Sequence, residues 1–238
     1  MSKLFKYQTL SSTNDLMREQ ITNFSHADIV WAEQQTKGRG MGGNSWHSCP
    51  SQNLTFSVFL CPKNIEAKEQ FWVLQFVSVS ILQVLKRYDI DAKIKWPNDI
   101  YVENKKLCGI LMENAVVGDF LENSIVGIGL NVNETEFPSF LPNPTSLKLL
   151  LGKSINRETL ILELQNEFST MEFVSKKDVC QQYLSMLYQK DEFRHYSCVL
   201  TKDVFEAKIV GVSLFGELIL EKKDGQQCLF SFKEIEYL

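Results

Sequence analysis

A glycine-rich segment, GRGMGGNSW at positions 38–46, is the stretch whose composition points most directly to chemistry. Its four glycines let the backbone approach a ligand closely and turn successive N–H groups towards an anion. Arg39 adds a forked donor that suits a phosphate or a carboxylate, and Trp46 offers a flat face for stacking. The segment lacks the GK[ST] ending of a P-loop and the spacing of a dinucleotide-binding fingerprint. It therefore predicts an anion-binding loop of another kind, with a flexible surface loop as the simpler alternative.

The motif KWPND at 95–99 places an amide and a carboxylate next to a turn that proline restricts. At the end of a strand, Asn98 and Asp99 could hold a metal ion or accept a proton. The alternative is a turn without a chemical role, because proline, asparagine and aspartate are common in turns.

A lysine opens the otherwise apolar strand KLCGIL at 106–111. If Lys106 points inward, it must face an anion, because burial of an unpaired ammonium group is very costly. Gly109 in the same strand indicates that a ligand passes close to the backbone. A later strand, GIGLNVN at 127–133, ends in small residues and two amides that could bind a ligand. The alternatives are a solvated lysine and turn-forming asparagines.

The overall composition limits the class of protein. The chain has 238 residues, of which 44% are hydrophobic and 23% charged, so it is too apolar for intrinsic disorder. The net charge of -4 argues against general nucleic-acid binding, but not against one local anion site. The most apolar window, 71–85, is shorter than the roughly 20 residues that a membrane span needs, so no membrane association is expected.

The six cysteines and three histidines show no spacing typical of a zinc site. No cysteine pair has CxxC spacing and no signal peptide precedes them, so we expect reduced thiols in a cytoplasmic protein. The histidines form no evident triad with a serine or a cysteine, so the chemistry is expected elsewhere.

The hydrophobic pattern predicts an α+β protein. Apolar and alternating segments indicate strands at 4–10, 27–33, 54–60, 92–95, 100–103, 106–113 and 123–130. Helical spacing indicates helices at about 15–22, 66–88, 156–172 and 175–190. Short strands then dominate, at 197–201, 206–213, 217–222 and 228–232. We therefore expect a large domain over 1–192 and a small C-terminal β-barrel over 193–238.

Together and in this order, the motifs closely resemble those of biotin–protein ligases. The matching segments are Ser12-Thr13-Asn14, Glu33-Gln34-Gln35, Gly38-Arg39-Gly40 with Trp46, and the stretches 95–99, 106–111 and 127–131. They cover about residues 11 to 133. The resemblance implies a mixed-sheet catalytic domain of the biotin/lipoate protein ligase type, followed by a small src-homology-3-like β-barrel.

The resemblance also implies an ATP- and magnesium-dependent reaction in two steps. Biotin and ATP would form biotinyl-5′-AMP, and a lysine of a biotin carboxyl carrier protein would then accept the biotin. The implied catalytic residues are Arg39, Asp99 and Lys106, with Asp99 as magnesium ligand or as base for the incoming lysine. The implied biotin site comprises Ser12, Thr13, Asn14, Gln35, Gly38, Arg39, Gly40, Lys106 and Gly109. The implied ATP site comprises Met41, Gly42, Gly43, Asn44, Trp46, Asn98 and Asn131.

Two departures from the family pattern affect these expectations. Many members carry arginines where this chain has Met41 and Asn44, so we expect looser loop closure and faster adenylate release than in an arginine-bearing relative. The ligase motifs begin near residue 11, so neither an N-terminal helix-turn-helix nor operator binding is expected. Monomer and homodimer both stay open. The alternative functions are a lipoate or octanoate ligase of the same fold and a non-catalytic nucleotide-binding module.

Overall fold

A computed structural model describes residues 2–238, and a seven-stranded sheet dominates the larger part. Its strands are β1 (Leu4–Leu10), β2 (Asp28–Gln35), β3 (Leu54–Leu60), β4 (Lys93–Lys95), β5 (Asp99–Val102), β6 (Lys105–Val117) and β7 (Phe120–Leu130). They lie in the order β1-β2-β3-β7-β6-β5-β4. β1 runs parallel to β2 and the other neighbours are antiparallel, which confirms the expected mixed sheet.

Five α-helices accompany this sheet within the described residues: α1 (Thr13–Glu19), α2 (Phe71–Arg87), α3 (Leu147–Leu151), α4 (Arg157–Phe168) and α5 (Lys176–Ser185). α2 is apolar on nearly all sides and lies in the main core, where it packs against α4 and α5. A helix that is apolar all round must be covered all round, and the two flanking helices together with the sheet do this.

α1 lies on the other side of the sheet. Its Met17 packs with Val30, Phe59 and Ile125 in a second, smaller apolar cluster, whereas Val58 belongs to the main core. Because successive side chains of a strand point to opposite faces, these two clusters mark the two faces of the sheet. The face that α1 covers only in part carries the candidate site.

The C-terminal strands β8 (Arg194–Cys198), β9 (Val204–Val212), β10 (Leu218–Lys222), β11 (Gln227–Phe230) and β12 (Ile235–Tyr237) form an antiparallel sheet. Their order is β11-β10-β9-β8-β12, and in the described chain the two edge strands do not pair with each other. The expected small barrel is therefore an open five-stranded sheet. β12 was not predicted, since only three residues form it.

Aromatic contacts join this C-terminal sheet to the rest of the chain. The rings of Phe232 and Trp96 meet edge to face with centroids 5.4 Å apart, and Phe232 also lies 6.1 Å from Phe71. The indole Nε1 of Trp96 donates to the carbonyl oxygen of Gly216 at 2.9 Å. The tryptophan of the KWPND motif is thus held by a ring and a backbone carbonyl of the C-terminal part.

Helix ends account for most differences from the expected elements. α2 begins at Phe71 rather than 66, because Ala67–Glu69 form a 3-10 turn closed by a capping box. The two helices expected at 156–172 and 175–190 end at Phe168 and Ser185. The short α3 was not predicted. Asn156 caps α4, since its Oδ1 accepts from the amide of Thr159.

Across residues 2–238, no helix combines the length and the apolar composition that crossing a bilayer requires. All six cysteines are free thiols, which agrees with the expectation from their spacing.

Candidate active site

A cleft of about 490 Å³, partly open to solvent, lies on the α1 side of the seven-stranded sheet. Glycines provide its space. Gly127 and Gly129 of β7 lie on the same face as Ile125, and without side chains they leave the sheet surface uncovered there. The residues that line the cleft are Ser12, Thr13, Asn14, Gln35, Arg39, Gly40, Met41, Trp46, Phe56, Asn98, Asp99, Lys106, Gly109, Ile110, Leu111, Gly127, Ile128 and Gly129.

One end of the cleft is a connected set of uncharged hydrogen-bonding groups. Thr13 donates from its amide and from its hydroxyl to the Oε1 of Gln35, at 2.7 and 3.1 Å. The Ser57 hydroxyl lies 2.7 Å from Thr13 Oγ1 and 2.5 Å from Asn14 Oδ1. Thr13, Asn14 and Ser57 are buried, so their orientations are fixed before a ligand arrives. This end suits a neutral, polar ligand group that needs directional hydrogen bonds.

The other end contains an ion pair. The ammonium nitrogen of Lys106 lies 2.8 Å from Asp99 Oδ1, and the two side chains are 29% and 23% exposed, so solvent screens their charges only in part. Asn98 stabilises this end, because its side-chain amide donates to the carbonyl oxygen of Ile110 at 2.6 Å. The sequence predicted that an inward Lys106 must face an anion, and Asp99 is that anion.

A second lysine lies beside this pair in a more apolar environment. The ammonium group of Lys95 is 4.8 Å from the ring centres of both Tyr101 and Tyr237. Burial lowers the pKa of Lys95, and the positive charge of Lys106 lowers it further, although Asp99 acts in the opposite direction. Burial likewise raises the pKa of Tyr101 to about 12. Tyr237 comes from the C-terminal sheet, which therefore reaches the surroundings of the site.

The glycine-rich segment folds into a narrow turn over the cleft. The amide of Gly40 donates to the carbonyl oxygen of Asn44 at 2.6 Å, and the amide of Trp46 donates to that of Gly38 at 2.9 Å. At the tip, Gly42 has φ of 68°, a left-handed conformation that favours glycine. This loop is therefore a defined hairpin rather than an extended surface segment.

The loop ends by placing Trp46 against the sheet. A Cβ atom at Gly129 would overlap the indole ring, and one at Gly109 would lie 2.8 Å from Trp46 Cζ3. Lys106 approaches the same ring to 5.6 Å. The close approach that Gly109 predicted is thus made by a side chain of the protein itself, and it places an aromatic face beside the charged end of the cleft.

Arg39 lines the cleft but its charge is already compensated. Its guanidinium lies 2.8 Å from Asp15 and 3.1 Å from Glu113, and Arg18 contacts the same two carboxylates. Asn14 also donates to Glu113 at 3.0 Å. An anion that recruits Arg39 must therefore compete with two acidic side chains.

A groove of about 1000 Å³, also open to solvent, continues from Trp46 along the proline-containing loop at 134–145. Asn131 lies in its wall, where the side-chain amide donates to the carbonyl oxygen of Thr145 at 2.9 Å. The lining is mainly apolar and consists of Asn44, Ser45, Trp46, His47, Lys106, Asn131, Phe137, Phe140, Leu141, Pro142 and Pro144. Flat aromatic and proline surfaces next to a lysine suit a planar ring attached to a charged group.

The model of the "Biotin/lipoate A/B protein ligase family" matches residues 5–131, which contain all the residues that line the cleft. The chain belongs to this family. The "Bifunctional ligase/repressor BirA" of Bacillus subtilis is 29% identical over 240 residues, which cover 96% of this chain and 72% of that protein. BirA of Escherichia coli is 27% identical over 219 residues, which cover 90% and 67%.

Solved structures of ligases have the same fold over all or nearly all of the chain. The biotin protein ligase of Aquifex aeolicus, in complex with biotin and ATP, superposes with a TM-score of 0.82 at 27% identity and full coverage of both chains. The biotin protein ligase of Leishmania major with biotinyl-5-AMP gives a TM-score of 0.64 at 22% identity, covering 96% and 98%, which supports the fold alone.

In this member of the ligase family, the cleft brings most of the predicted site residues together. Those in the cleft are Ser12, Thr13, Asn14, Gln35, Arg39, Gly40, Met41, Trp46, Asn98, Asp99, Lys106 and Gly109. Asn44 and Asn131 lie in the groove instead. Gly38, Gly42 and Gly43 line neither cavity and shape the loop.

Several functional candidates of this ligase-family chain were missed in the sequence. Ser57 interrupts the apolar run LTFSVFL, and that interruption was an available signal. Phe137 and Phe140 lie in an irregular loop with three prolines, whose sequence has no periodic pattern that would indicate a binding surface.

No group of three or more His, Cys, Asp or Glu side chains in residues 2–238 could hold a metal ion. Asp99 alone offers a carboxylate at the charged end of the cleft. Magnesium is commonly bound by one or two carboxylates together with substrate phosphates and water, so a single aspartate fits such an ion.

Proposed function

We propose that this chain is an ATP-dependent biotin–protein ligase that makes biotinyl-5′-AMP and then transfers the biotinyl group to a lysine of a biotin carboxyl carrier protein. The observation that carries the proposal is the single cleft that joins a neutral hydrogen-bonding end to the Lys106–Asp99 pair, beside an apolar groove. Family membership and the similarity to a ligase solved with biotin and ATP support it.

The neutral end of the cleft is the proposed site for the ureido ring of biotin. A ureido group has one carbonyl acceptor and two N–H donors, and it carries no charge. Thr13, Asn14 and Gln35 line this end of the cleft with hydroxyl and amide groups, which can exchange bonds to neighbouring side chains for bonds to the ureido carbonyl and N–H groups. Lipoate has no ureido ring, so it cannot make the directional hydrogen bonds that this end of the cleft offers, and the site should discriminate against it.

In the first step, a carboxylate oxygen of biotin attacks the α-phosphorus of ATP, the bond to the bridging oxygen breaks, and pyrophosphate leaves. Both reactants are anions, and two unit charges 4 Å apart interact by about 4 kcal/mol at an effective dielectric of 20. Lys106 faces the cleft at the point where the neutral end and the groove meet. Its ammonium group is therefore placed to stabilise the carboxylate and then the α-phosphate oxygens.

The groove is the proposed nucleotide site. Trp46 and the loop aromatics offer faces for adenine, and Asn131 lies in the wall. Magnesium bound by Asp99 together with the phosphates would supply charge neutralisation for the leaving pyrophosphate. Asn98 keeps the backbone next to Asp99 in place through its bond to β6.

In the second step, the neutral amine of a carrier lysine attacks the carbonyl carbon of the mixed anhydride. The bond to the phosphate oxygen breaks, AMP leaves, and the amine loses a proton. Lys106 can hold the departing phosphate oxygens, and Asp99 is a candidate for the proton acceptor. Asp99→Asn separates the two roles, since a metal ligand affects the first step and a base affects only transfer from preformed adenylate.

The proposal also covers the domain division, the cellular location, the oligomeric state and nucleic-acid binding. We divide the chain into a catalytic domain over 1–192 and a C-terminal domain over 193–238, supported by the separate sheet that begins at Arg194. The six free thiols agree with work in a reducing cytoplasm. Monomer or homodimer, and the lack of nucleic-acid binding, stay predictions from the sequence.

The test is pyrophosphate exchange that requires both biotin and ATP, followed by incorporation of labelled biotin into a carrier domain. We expect activity with biotin and at least a hundredfold less with lipoate at equal concentration. Lys106→Ala serves as the negative control. Exchange with lipoate as fast as with biotin, or wild-type incorporation in Lys106→Ala, would contradict the proposal.

A further inference from the structure

Lys233 of the C-terminal sheet touches the tip of the glycine-rich loop. Its ammonium nitrogen donates to the carbonyl oxygen of Gly42 at 3.0 Å, across 191 positions of sequence. A Cβ atom at Gly42 would overlap the end of this lysine, so the side chain lies directly over the loop. No other side-chain hydrogen bond to the loop tip, 41–43, occurs within residues 2–238.

The turn that carries Lys233 is fixed on both sides. Phe232 packs against Trp96 and Phe71 of the larger part of the chain. The amide of Ser231 donates to the carboxylate of Glu234 at 2.8 Å, which closes the turn. Lys233 itself has φ of 68°, so this residue adopts a left-handed conformation to project from the turn. The ammonium group is thus placed by a rigid base, although its end is exposed.

The loop lacks a free positive charge of its own. Arg39 is the sole cationic residue between 38 and 46, and it pairs with Asp15 and Glu113. Met41 and Asn44 flank the loop tip without charge. A loop that must cover a triphosphate or an acyl-adenylate needs positive charge near its tip, because the ligand is anionic.

We propose that Lys233 is a positioning residue for this reaction: it holds the glycine-rich loop closed and supplies, from the C-terminal sheet, the cation that the loop lacks. Rigidly placed donors lower the cost of ordering a mobile loop over its ligand. The ammonium group has three donors, and Gly42 uses one of them, which leaves two for a phosphate oxygen or water. The part of this inference that concerns ATP and the adenylate rests on the proposed function. The contact between Lys233 and the loop does not depend on it.

The test compares Lys233→Met and Lys233→Arg with a matched control, Lys202→Met. Lys202 is an exposed lysine at the β8–β9 turn of the same sheet and has φ of 62°, so the backbone strain of the substitution is the same. The first readout is amide hydrogen exchange of residues 38–46 in the free protein. We expect exchange of the Gly40 and Trp46 amides to be several-fold faster in Lys233→Met, and unchanged in Lys202→Met. Unchanged exchange in Lys233→Met would overturn the inference whether or not the chain is a ligase.

The second readout is kinetic. In biotin-dependent pyrophosphate exchange, we expect Lys233→Met to raise the KM for ATP by fivefold to tenfold, or about 1–1.4 kcal/mol. The KM for biotin should stay within twofold, and release of the adenylate in a single-turnover quench should accelerate by a similar factor. Lys233→Arg should restore the ATP value to within threefold. If the wild type is active and Lys233→Met leaves the KM for ATP and the rate of adenylate release unchanged, the inference about Lys233 is wrong but the proposed function stands. If the wild type is inactive, the proposed function is wrong.

Discussion

Replacement of Lys106 by methionine is the sharpest single perturbation of the cleft. Methionine keeps the unbranched shape of the side chain, one atom shorter, and removes the charge, so packing of its stem against Trp46 changes little. The change has two consequences for an anionic ligand. The ammonium donor is lost, and Asp99, which now lies 2.8 Å from that ammonium, becomes an uncompensated carboxylate in the same cleft.

The two consequences act in the same direction. Loss of one preorganised donor at developing charge costs about 2.7–4 kcal/mol, or roughly 10²–10³-fold in rate. The uncovered Asp99 carboxylate adds repulsion towards biotin carboxylate and ATP, on the scale of a few kcal/mol at a partly screened site. We therefore expect biotin-dependent pyrophosphate exchange to fall by at least about a hundredfold. The effect should appear in kcat as well as in KM, because the charge develops in the transition state.

The assay is pyrophosphate exchange at saturating ATP and biotin, with the thermal midpoint measured to verify folding. Lys105→Met is the matched control, since Lys105 precedes Lys106 in the same strand and its side chain is exposed. The control should retain nearly full exchange. If Lys106→Met also retains it, or loses only as much as the control, the assignment of Lys106 to the reacting groups is wrong.

Three further predictions concern the loop contact and the stability of the fold. Gly129→Ala should raise the KM for ATP by about tenfold, because its methyl group displaces Trp46, whereas Gly211→Ala meets only a contact at 3.5 Å and should be neutral. Arg157→Met should lower the free energy of unfolding, measured in urea, by about 2 kcal/mol. This loss is smaller than that expected when a buried charge is left with no partner, because Lys6 still pairs with Glu33. Burial acts to raise the pKa of Glu33, but hydrogen bonds from Arg157 and that lysine outweigh it and leave the pKa below its usual 4.5. This carboxylate therefore stabilises the fold above pH 4.5, and the stabilisation is lost as the pH falls through the lowered pKa. In Glu33→Gln, the free energy of unfolding should accordingly fall less steeply with decreasing pH in the acidic range. An unchanged dependence on pH would contradict this prediction.

The positions of most site residues follow from local sequence, because each motif sits at a strand end or a tight turn. Lys106 and Asp99 belong to neighbouring antiparallel strands joined by a short turn, so their proximity was within reach of pattern reasoning. Ser12 caps α1 as a serine before a helix predicts. Gly109 predicted a close approach to the backbone, and the approach exists, although its partner is Trp46.

Contacts between distant segments could not be read from the sequence in the same way. The pairing of Arg39 with Glu113 joins a loop to a strand 74 positions later, and nothing in either segment specifies it. The Lys233 contact spans the whole fold and depends on how the C-terminal sheet packs on Trp96. Composition also hides such detail, since the net charge of -4 is an average over surfaces that never meet a ligand.

The charged side chains around the cleft determine how strongly the cleft attracts an anionic ligand. Three cations face three carboxylates there: Arg18, Arg39 and Lys106 against Asp15, Glu113 and Asp99. These three pairs are therefore close to neutral before a ligand enters, and an anionic ligand gains attraction from them only by drawing a cation away from its carboxylate. A triphosphate and a carboxylate together bring several negative charges, which these side chains cannot balance by themselves. Lys95, the proposed magnesium ion and Lys233 lie outside these pairs, and losing either of the last two should weaken the binding of ATP more than that of biotin.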